Sequence, residues 1–151
     1  MPEVVPQPAS WLHPGVQVRP SPIAGRGLFA TVDLPARTVV VRLSGALTVD
    51  DDQRVVAPGG TPFANHCCDP NVGWTDEHSL ATMADVAAGQ ELLTDYAMSV
   101  VEPGWFLRCH CPSYRCRQMV EGTDWRIAAL QQRYDGWWTP RVQDLVDAAR
   151  S

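Results

Sequence analysis

Five cysteines in two clusters constrain this chain more than any other feature: Cys67 and Cys68, then Cys109, Cys111 and Cys116. The count is odd, and residues 1–15 carry neither a basic start nor an apolar core, so a secreted disulfide framework is not expected. Cys109-His110-Cys111, four further residues and then Cys116 form a compact thiolate set suited to structural zinc, which takes four ligands. Spacing alone leaves Cys67, Cys68 and His110 competing for the fourth place. The bland alternative is buried free thiols acting as small hydrophobes, and three of them within eight residues make it the weaker reading. A closed site would staple the segment after Trp105 to the turn holding Cys68. It would leave no open position for water, which disfavours zinc-catalysed hydrolysis.

At 151 residues, 45% hydrophobic and 19% charged, the chain is one domain's worth of polypeptide. Its 13 prolines and 11 glycines promise a loop-rich fold. No apolar run exceeds four residues (Ile127 to Leu130), so no membrane span is expected, and the chain reads as soluble and cytoplasmic. The net charge of −5 argues against nucleic acid or an anionic membrane as partner and suits a cationic one. All 12 basic residues are arginine, so the chain has no lysine of its own.

Residues 1–15, with four prolines, read as an extended arm. From Val16 to Tyr96 short β-like runs alternate with turn residues: Val16 to Arg19, Leu28 to Ala30, Thr38 to Leu43, Ala46 to Val49, Val72 to Thr75, Leu80 to Ala84 and Glu91 to Tyr96. That spacing predicts small sheets rather than βαβ units, and no internal repeat is visible. Thr123 is a candidate cap for a helix through Tyr134, ended by Gly136. Thr139-Pro140 starts a second helix, whose Val142, Leu145, Val146 and Ala149 form an i, i+3, i+4, i+7 stripe. The expected fold is therefore mostly β with a C-terminal helical hairpin. That hairpin packs on the sheets, with a dimer contact through Trp137 and Trp138 as the sharper alternative.

Three further segments carry potential chemistry. Gly25-Arg26-Gly27-Leu28-Phe29-Ala30 is a glycine pair entering a strand, which permits close backbone approach to a ligand but also describes an ordinary turn. Asn65-His66-Cys67-Cys68-Asp69-Pro70-Asn71 is dense in turn formers and ligating groups. Glu91-Leu92-Leu93-Thr94-Asp95-Tyr96 is a strand ending in a tyrosine. Each alone reads more readily as structure than as a site.

In this order, together with Cys109, Cys111 and Cys116, they resemble the SET-domain protein lysine methyltransferases. The glycine pair is similar to that family's opening Gly-x-Gly, and Asn65 to Asn71 to its Asn-His-x-Cys-x-Pro-Asn signature. Glu91 to Tyr96 is similar to its Glu-Leu-x-x-Asp-Tyr strand, and the cysteine trio to its post-SET cluster. The resemblance covers about residues 16–121, which divides the chain into an arm (1–15), a SET domain (16–104), a zinc-binding post-SET segment (105–121) and the helical hairpin (122–151).

The resemblance implies a β-rich fold of small sheets in which the Asn65 and Tyr96 segments cross in a knot-like arrangement. It implies S-adenosylmethionine held by Gly25, Arg26, Gly27, Asn65, His66 and Tyr96. Tyr96 would be the catalytic residue, and a structural zinc would sit on Cys68, Cys109, Cys111 and Cys116, with Cys67 a bystander. The implied partner is a protein with an accessible lysine.

Thr94 departs from the aromatic residue the family usually has in the lysine channel, which predicts a wider or wetter channel and higher methylation, or a bulkier acceptor. The short segment Val49 to Phe63, with Pro58-Gly59-Gly60, predicts a reduced peptide groove, completed by another element or a second subunit. The alternatives are a small-molecule methyltransferase on the same fold and a zinc-stapled binding module without turnover.

Overall fold

Turn residues cut this chain into strands of two to five residues, which pair into four small sheets. The computed structural model describes residues 10–150. In chain order the strands are β1 (Trp11–Leu12), β2 (Val16–Pro20), β3 (Arg26–Ala30), β4 (Val39–Arg42), β5 (Thr48–Val49) and β6 (Val55–Val56). They continue with β7 (Asn65–His66), β8 (Val72–Trp74), β9 (Ser79–Thr82), β10 (Glu91–Thr94), β11 (Phe106–Arg108) and β12 (Met119–Glu121). Two helices follow, α1 (Ala128–Arg133) and α2 (Pro140–Arg150). One sheet has the order β1-β4-β9-β8 and another β2-β3-β10-β7, with hairpins β5-β6 and β11-β12 beside them. The fold is mostly β with small sheets and a short helical region at the C-terminal end, as composition and turn spacing predict.

Two connections between the larger sheets hold each other. Leu34 and Val86 exchange both backbone hydrogen bonds at 2.8 Å. Asp85 Oδ1 accepts from the Ala36 N–H and Asp33 Oδ1 from the Ala88 N–H, both at 2.9 Å. The loop from β3 to β4 and the loop from β9 to β10 thus form a reciprocal clasp, although the sequence shows no repeat. Each loop turns on one positive φ, at Arg37 (66°) and Gly89 (91°).

The main core lies between these sheets and the helices, with Leu28, Val40, Val41, Leu80, Leu92 and Met98 fully enclosed. A smaller cluster gathers Cys68, Val100, Trp105, Cys109 and Val120. No helix among the described residues is long and apolar enough to cross a membrane.

Several local expectations are modified. The arm falls mostly on residues 1–9, outside the described residues, while Trp11–Leu12 is already stitched to the edge of β4. The strand toward Tyr96 stops at Thr94, because the Asp95 carboxylate accepts from the Ala97 N–H at 2.9 Å and caps a 3-10 turn over Tyr96–Met98.

The helix expected from Thr123 is broken. Thr123 makes no side-chain cap, a 3-10 turn covers Asp124–Arg126, and Ile127 is extended before α1 begins. Asp124 is instead claimed by Arg117, whose Nε donates to it at 3.0 Å. Thr139 does cap α2, but the stripe is narrower than its spacing suggests: Val142 and Val146 are buried, whereas Leu145 and Ala149 are exposed. Trp138 is buried edge-on against Tyr134, and Trp137 packs over Gly73, so both tryptophans are engaged within the chain.

Candidate functional site

The sulfurs of Cys68, Cys109, Cys111 and Cys116 all lie within 4.8 Å of one another, a set able to hold a metal ion. Zn–S bonds of about 2.3 Å require sulfurs about 3.8 Å apart in a tetrahedron, and Cys68 and Cys109 sulfurs are 3.9 Å apart. The hairpin of β11 and β12 brings the trio together in its loop, since Cys109 N–H bonds to Gln118 O at the base of the loop and Cys116 N–H to Ser113 O within it. The Arg117 N–H donates to Cys68 Sγ at 3.3 Å.

Of the three contenders for the fourth place, only Cys68 joins this set. Cys67 is buried beside it and accepts from the Asp69 N–H, and His110 is exposed. Burial pushes the Cys68 thiol up to about 11 and that of Cys109 higher still, whereas hydrogen bonds from its neighbours draw Cys111 down to about 7 against its own burial. A dication among four such sulfurs reverses the burial effect by favouring thiolate, so the donor set suits zinc.

Next to the cluster opens a cavity of about 740 Å³, bordered by Ala24, Asn65, His66, Leu93, Tyr96 and the Cys109–Ser113 loop. The parallel pairing of β7 with β10, Asn65 opposite Leu93 and His66 opposite Thr94, puts the Asn-His pair beside the Tyr96 segment. Asn71 reinforces that arrangement: its side chain donates to Glu91 O and accepts from the Leu93 N–H.

Asn65 Nδ2 donates to Ala24 O, Arg26 O and the Glu91 carboxylate, which fixes the glycine turn against β10. Glu91 also accepts from Ser21 Oγ at 2.9 Å. A Cβ at Gly27 would run into Glu91 Oε2 and lie 3.1 Å from Asn65 Nδ2, so a side chain there must push the Glu91 carboxylate off its bonds to Ser21 and Asn65. Arg26 itself is exposed.

Tyr96 donates its hydroxyl to Ala64 O at 2.8 Å, and its N–H donates to His66 Nδ1 at 3.0 Å. That second bond places the His66 proton on Nε2, which faces Cys68 Sγ at 3.4 Å. Burial drops His66 to about 4, with Asp95 opposing and Arg117 adding to the effect, so the imidazole is neutral at pH 7. Burial, and then the Glu91 charge, raise the Tyr96 phenol well above its ordinary value. Phe63 stacks at 6.3 Å from the Tyr96 ring and Trp105 tilts over it at the same distance. Thr94 is fully buried, with its hydroxyl 3.8 Å from Met98 Sδ, and is not among the residues lining the cavity.

Sequence reasoning passed over Phe63, Glu91, Asp95, Trp105, Arg117 and Tyr134. Asp95 and Glu91 stand inside a quoted motif and Arg117 directly follows a ligand, which are usable signals. Phe63, Trp105 and Tyr134 come from distant segments and give none. Compared with known proteins, the chain matches no family model and no curated protein.

Proposed function

We propose that this chain is a methyltransferase that uses S-adenosylmethionine and delivers a methyl group to the side-chain amine of a protein lysine. The observation that carries this reading is the meeting of four sequence-distant segments at one cavity: the turn at Ala24, the Asn65-His66 strand, Tyr96 and the Cys109–Ser113 loop. Three of these segments carry motifs that resemble the SET family, and the turn at Ala24 directly precedes the fourth, Gly25 to Ala30, whose own residues do not line the cavity. The knot-like crossing expected of that family belongs to the same reading. Cofactor-sized sites span about 300–1,000 Å³ with mostly apolar walls and a few convergent polar groups. The cavity fits that description, with Asn65, His66 and Tyr96 among its polar groups and Asp69 and Arg108 as charged ones.

When bound, S-adenosylmethionine supplies an electrophilic methyl group on a positively charged sulfonium. The Gly25-Arg26-Gly27 backbone and Asn65-His66 would hold its amino-acid and adenine parts, and zinc on the four cysteines would keep the Cys109–Ser113 wall in place. Tyr96 acts on the acceptor. Its proton is committed to Ala64 O, which leaves its oxygen lone pairs to receive an amine N–H. The raised phenol stays protonated at neutral pH, so Tyr96 orients the amine rather than deprotonating it. An ordinary lysine has a pKa of about 10.4 and must arrive neutral to be a nucleophile. The rings of Phe63 and Trp105 beside Tyr96 withhold water and disfavour the ammonium form. Fixed alignment then removes much of the entropic barrier.

A second reading, transfer to a small-molecule amine, is favoured by the compact β5-β6 hairpin. Trp105 Nε1 ties its turn down by donating to Gln53 O at 2.8 Å, and the hairpin builds no extended wall. Titrating zinc-loaded protein with S-adenosylmethionine in a calorimeter tests what both readings share. One site per chain is expected, abolished by Gly27→Val; absence of binding to the native chain would remove both.

A further inference from the structure

Asp95, directly before Tyr96 in sequence, centres a buried polar knot that neither the metal nor the cavity requires by itself. Asp95 is fully enclosed, and its carboxylate accepts from Arg117 Nη1 at 2.7 Å, Arg117 Nη2 at 3.0 Å and the Tyr134 hydroxyl at 2.7 Å. A forked guanidinium on a carboxylate fixes both groups in orientation as well as distance. Asp124 receives the remaining Arg117 Nε at 3.0 Å. Arg133 donates to Cys68 O at 2.9 Å and to the Tyr134 hydroxyl. Asp124, Arg133 and Tyr134 all lie beyond the segments that carry the family motifs.

We propose that Arg117 and Tyr134 are positioning residues that hold Tyr96 through Asp95, and so couple metal at the four-cysteine cluster to the geometry of the site. Arg117 follows the ligand Cys116, and its backbone N–H touches the ligand Cys68, so its main chain is set by the metal cluster. Its side chain sets Asp95. Asp95 caps the turn that contains Tyr96, and it lies 3.6 Å from His66 Nδ1, the acceptor of the Tyr96 N–H. The cysteine cluster, the Arg117 backbone and guanidinium, the Asp95 carboxylate and the turn that carries Tyr96 are thus joined by successive contacts, and the C-terminal segment closes the chain of contacts through Tyr134. The inference deepens the methyl-transfer reading by naming what places Tyr96, but the coupling itself stands apart from any turnover.

The chain's three tyrosines, Tyr96, Tyr114 and Tyr134, make the test direct. Full-length protein labelled with 3-fluorotyrosine gives three fluorine resonances, assigned by Tyr→Phe variants, with Tyr114 (88% exposed) reporting the metal loop itself. Withdrawing zinc with a chelator is expected to move the Tyr96 and Tyr134 resonances. In zinc-loaded Arg117→Gln the Tyr96 resonance is expected at that displaced position while Tyr114 is unmoved, and zinc transfer to a competing chelator is favoured about tenfold, as is usual for groups supporting ligands. Tyr134→Phe, which removes one hydroxyl, is expected to shift Tyr96 part of the way and keeps the test open if Arg117→Gln does not fold. A Tyr96 resonance unchanged in the folded, zinc-loaded variants would overturn the proposal. Methyl transfer measured alongside is expected to fall in Arg117→Gln with cofactor affinity held within about threefold, a split diagnostic of lost positioning. If native protein transfers nothing yet Tyr96 still moves with Arg117 and zinc, the coupling stands and the methyl-transfer reading fails.

Discussion

Cys68 and Cys109 place their sulfurs 3.9 Å apart although 41 residues separate them in the chain. With Cys111 and Cys116 alongside, these thiols form a set able to hold a metal ion, which would tie the β11-β12 hairpin to the turn after β7. Purified protein is expected to carry one zinc per chain by elemental analysis. Cys68→Ser is expected to lose it and Cys67→Ser to keep it. At free zinc a thousandfold above its dissociation constant, mass action adds about 4 kcal/mol of stability, which a chelator should remove as a fall in melting temperature. Full stability without metal would contradict this.

Gly27 and Gly25 sit two residues apart and should respond differently to alanine. At Gly27 the added methyl meets the Glu91 carboxylate, so overpacking of about 1–3 kcal/mol and a weakened cofactor site are expected. At Gly25 nothing lies within 4 Å, and only the positive φ of 44° opposes the substitution, at about 1 kcal/mol. Denaturant unfolding of the two variants checks the order.

The clasp of Leu34 and Val86 is flanked by one aspartate from each loop, each accepting one backbone N–H at the same distance. Asp33→Ala and Asp85→Ala each remove one acceptor from a backbone N–H and are each expected to cost about 1 kcal/mol. Gly89→Ala meets no atom, so its cost of about 1–2 kcal/mol is conformational. A large difference between the two aspartates would show that the clasp is not shared equally.

Acid should expose the role of Asp95. Burial alone would raise its pKa, but the hydrogen bonds and charges of Arg117, the His66 charge and the Tyr134 hydroxyl outweigh it and hold the carboxyl below its ordinary 3.8. A depressed folded-state pKa contributes stability that is complete above the unfolded value and lost as pH falls through the folded one. The native chain should therefore lose this contribution below about pH 3.9, the ordinary value for aspartate. Asp95→Asn should start several kcal/mol less stable, about 3–5 for a broken buried pair, and lack that part of the acid slope. The cysteine cluster titrates in both, so the difference between the two curves reports Asp95 together with His66, which lies 3.6 Å away and loses the charge that opposes its low pKa.

Much of the strand pattern was legible because β2, β3, β4, β8 and β9 are bounded by turn residues and direct apolar side chains to the core locally, half-buried in β2 and buried in the others. What failed to show was decided at long range. The helix expected from Thr123 breaks because Asp124 is drawn to Arg117, a partner no local window contains. Spacing could not separate Cys67 from Cys68, which differ in the direction their side chains take from adjacent positions. Asn65, His66 and Tyr96 could be named from motifs, but the aromatic walls and the Asp95-Arg117-Tyr134 knot exist only once the sheets have paired.

The central claim is methyl transfer oriented by Tyr96, and one measurement tests it most directly. Zinc-loaded native protein and Tyr96→Phe are incubated with methyl-labelled S-adenosylmethionine and a lysate of the source organism, and macromolecules are separated from small molecules. Because the chain contains no lysine, label on a lysine side chain must lie on another protein. The account predicts label on a protein lysine, reduced about 100-fold in Tyr96→Phe, the scale for losing one oriented polar group at a reacting centre. Equal labelling by both proteins, or no transfer by native protein with cofactor bound, would contradict it.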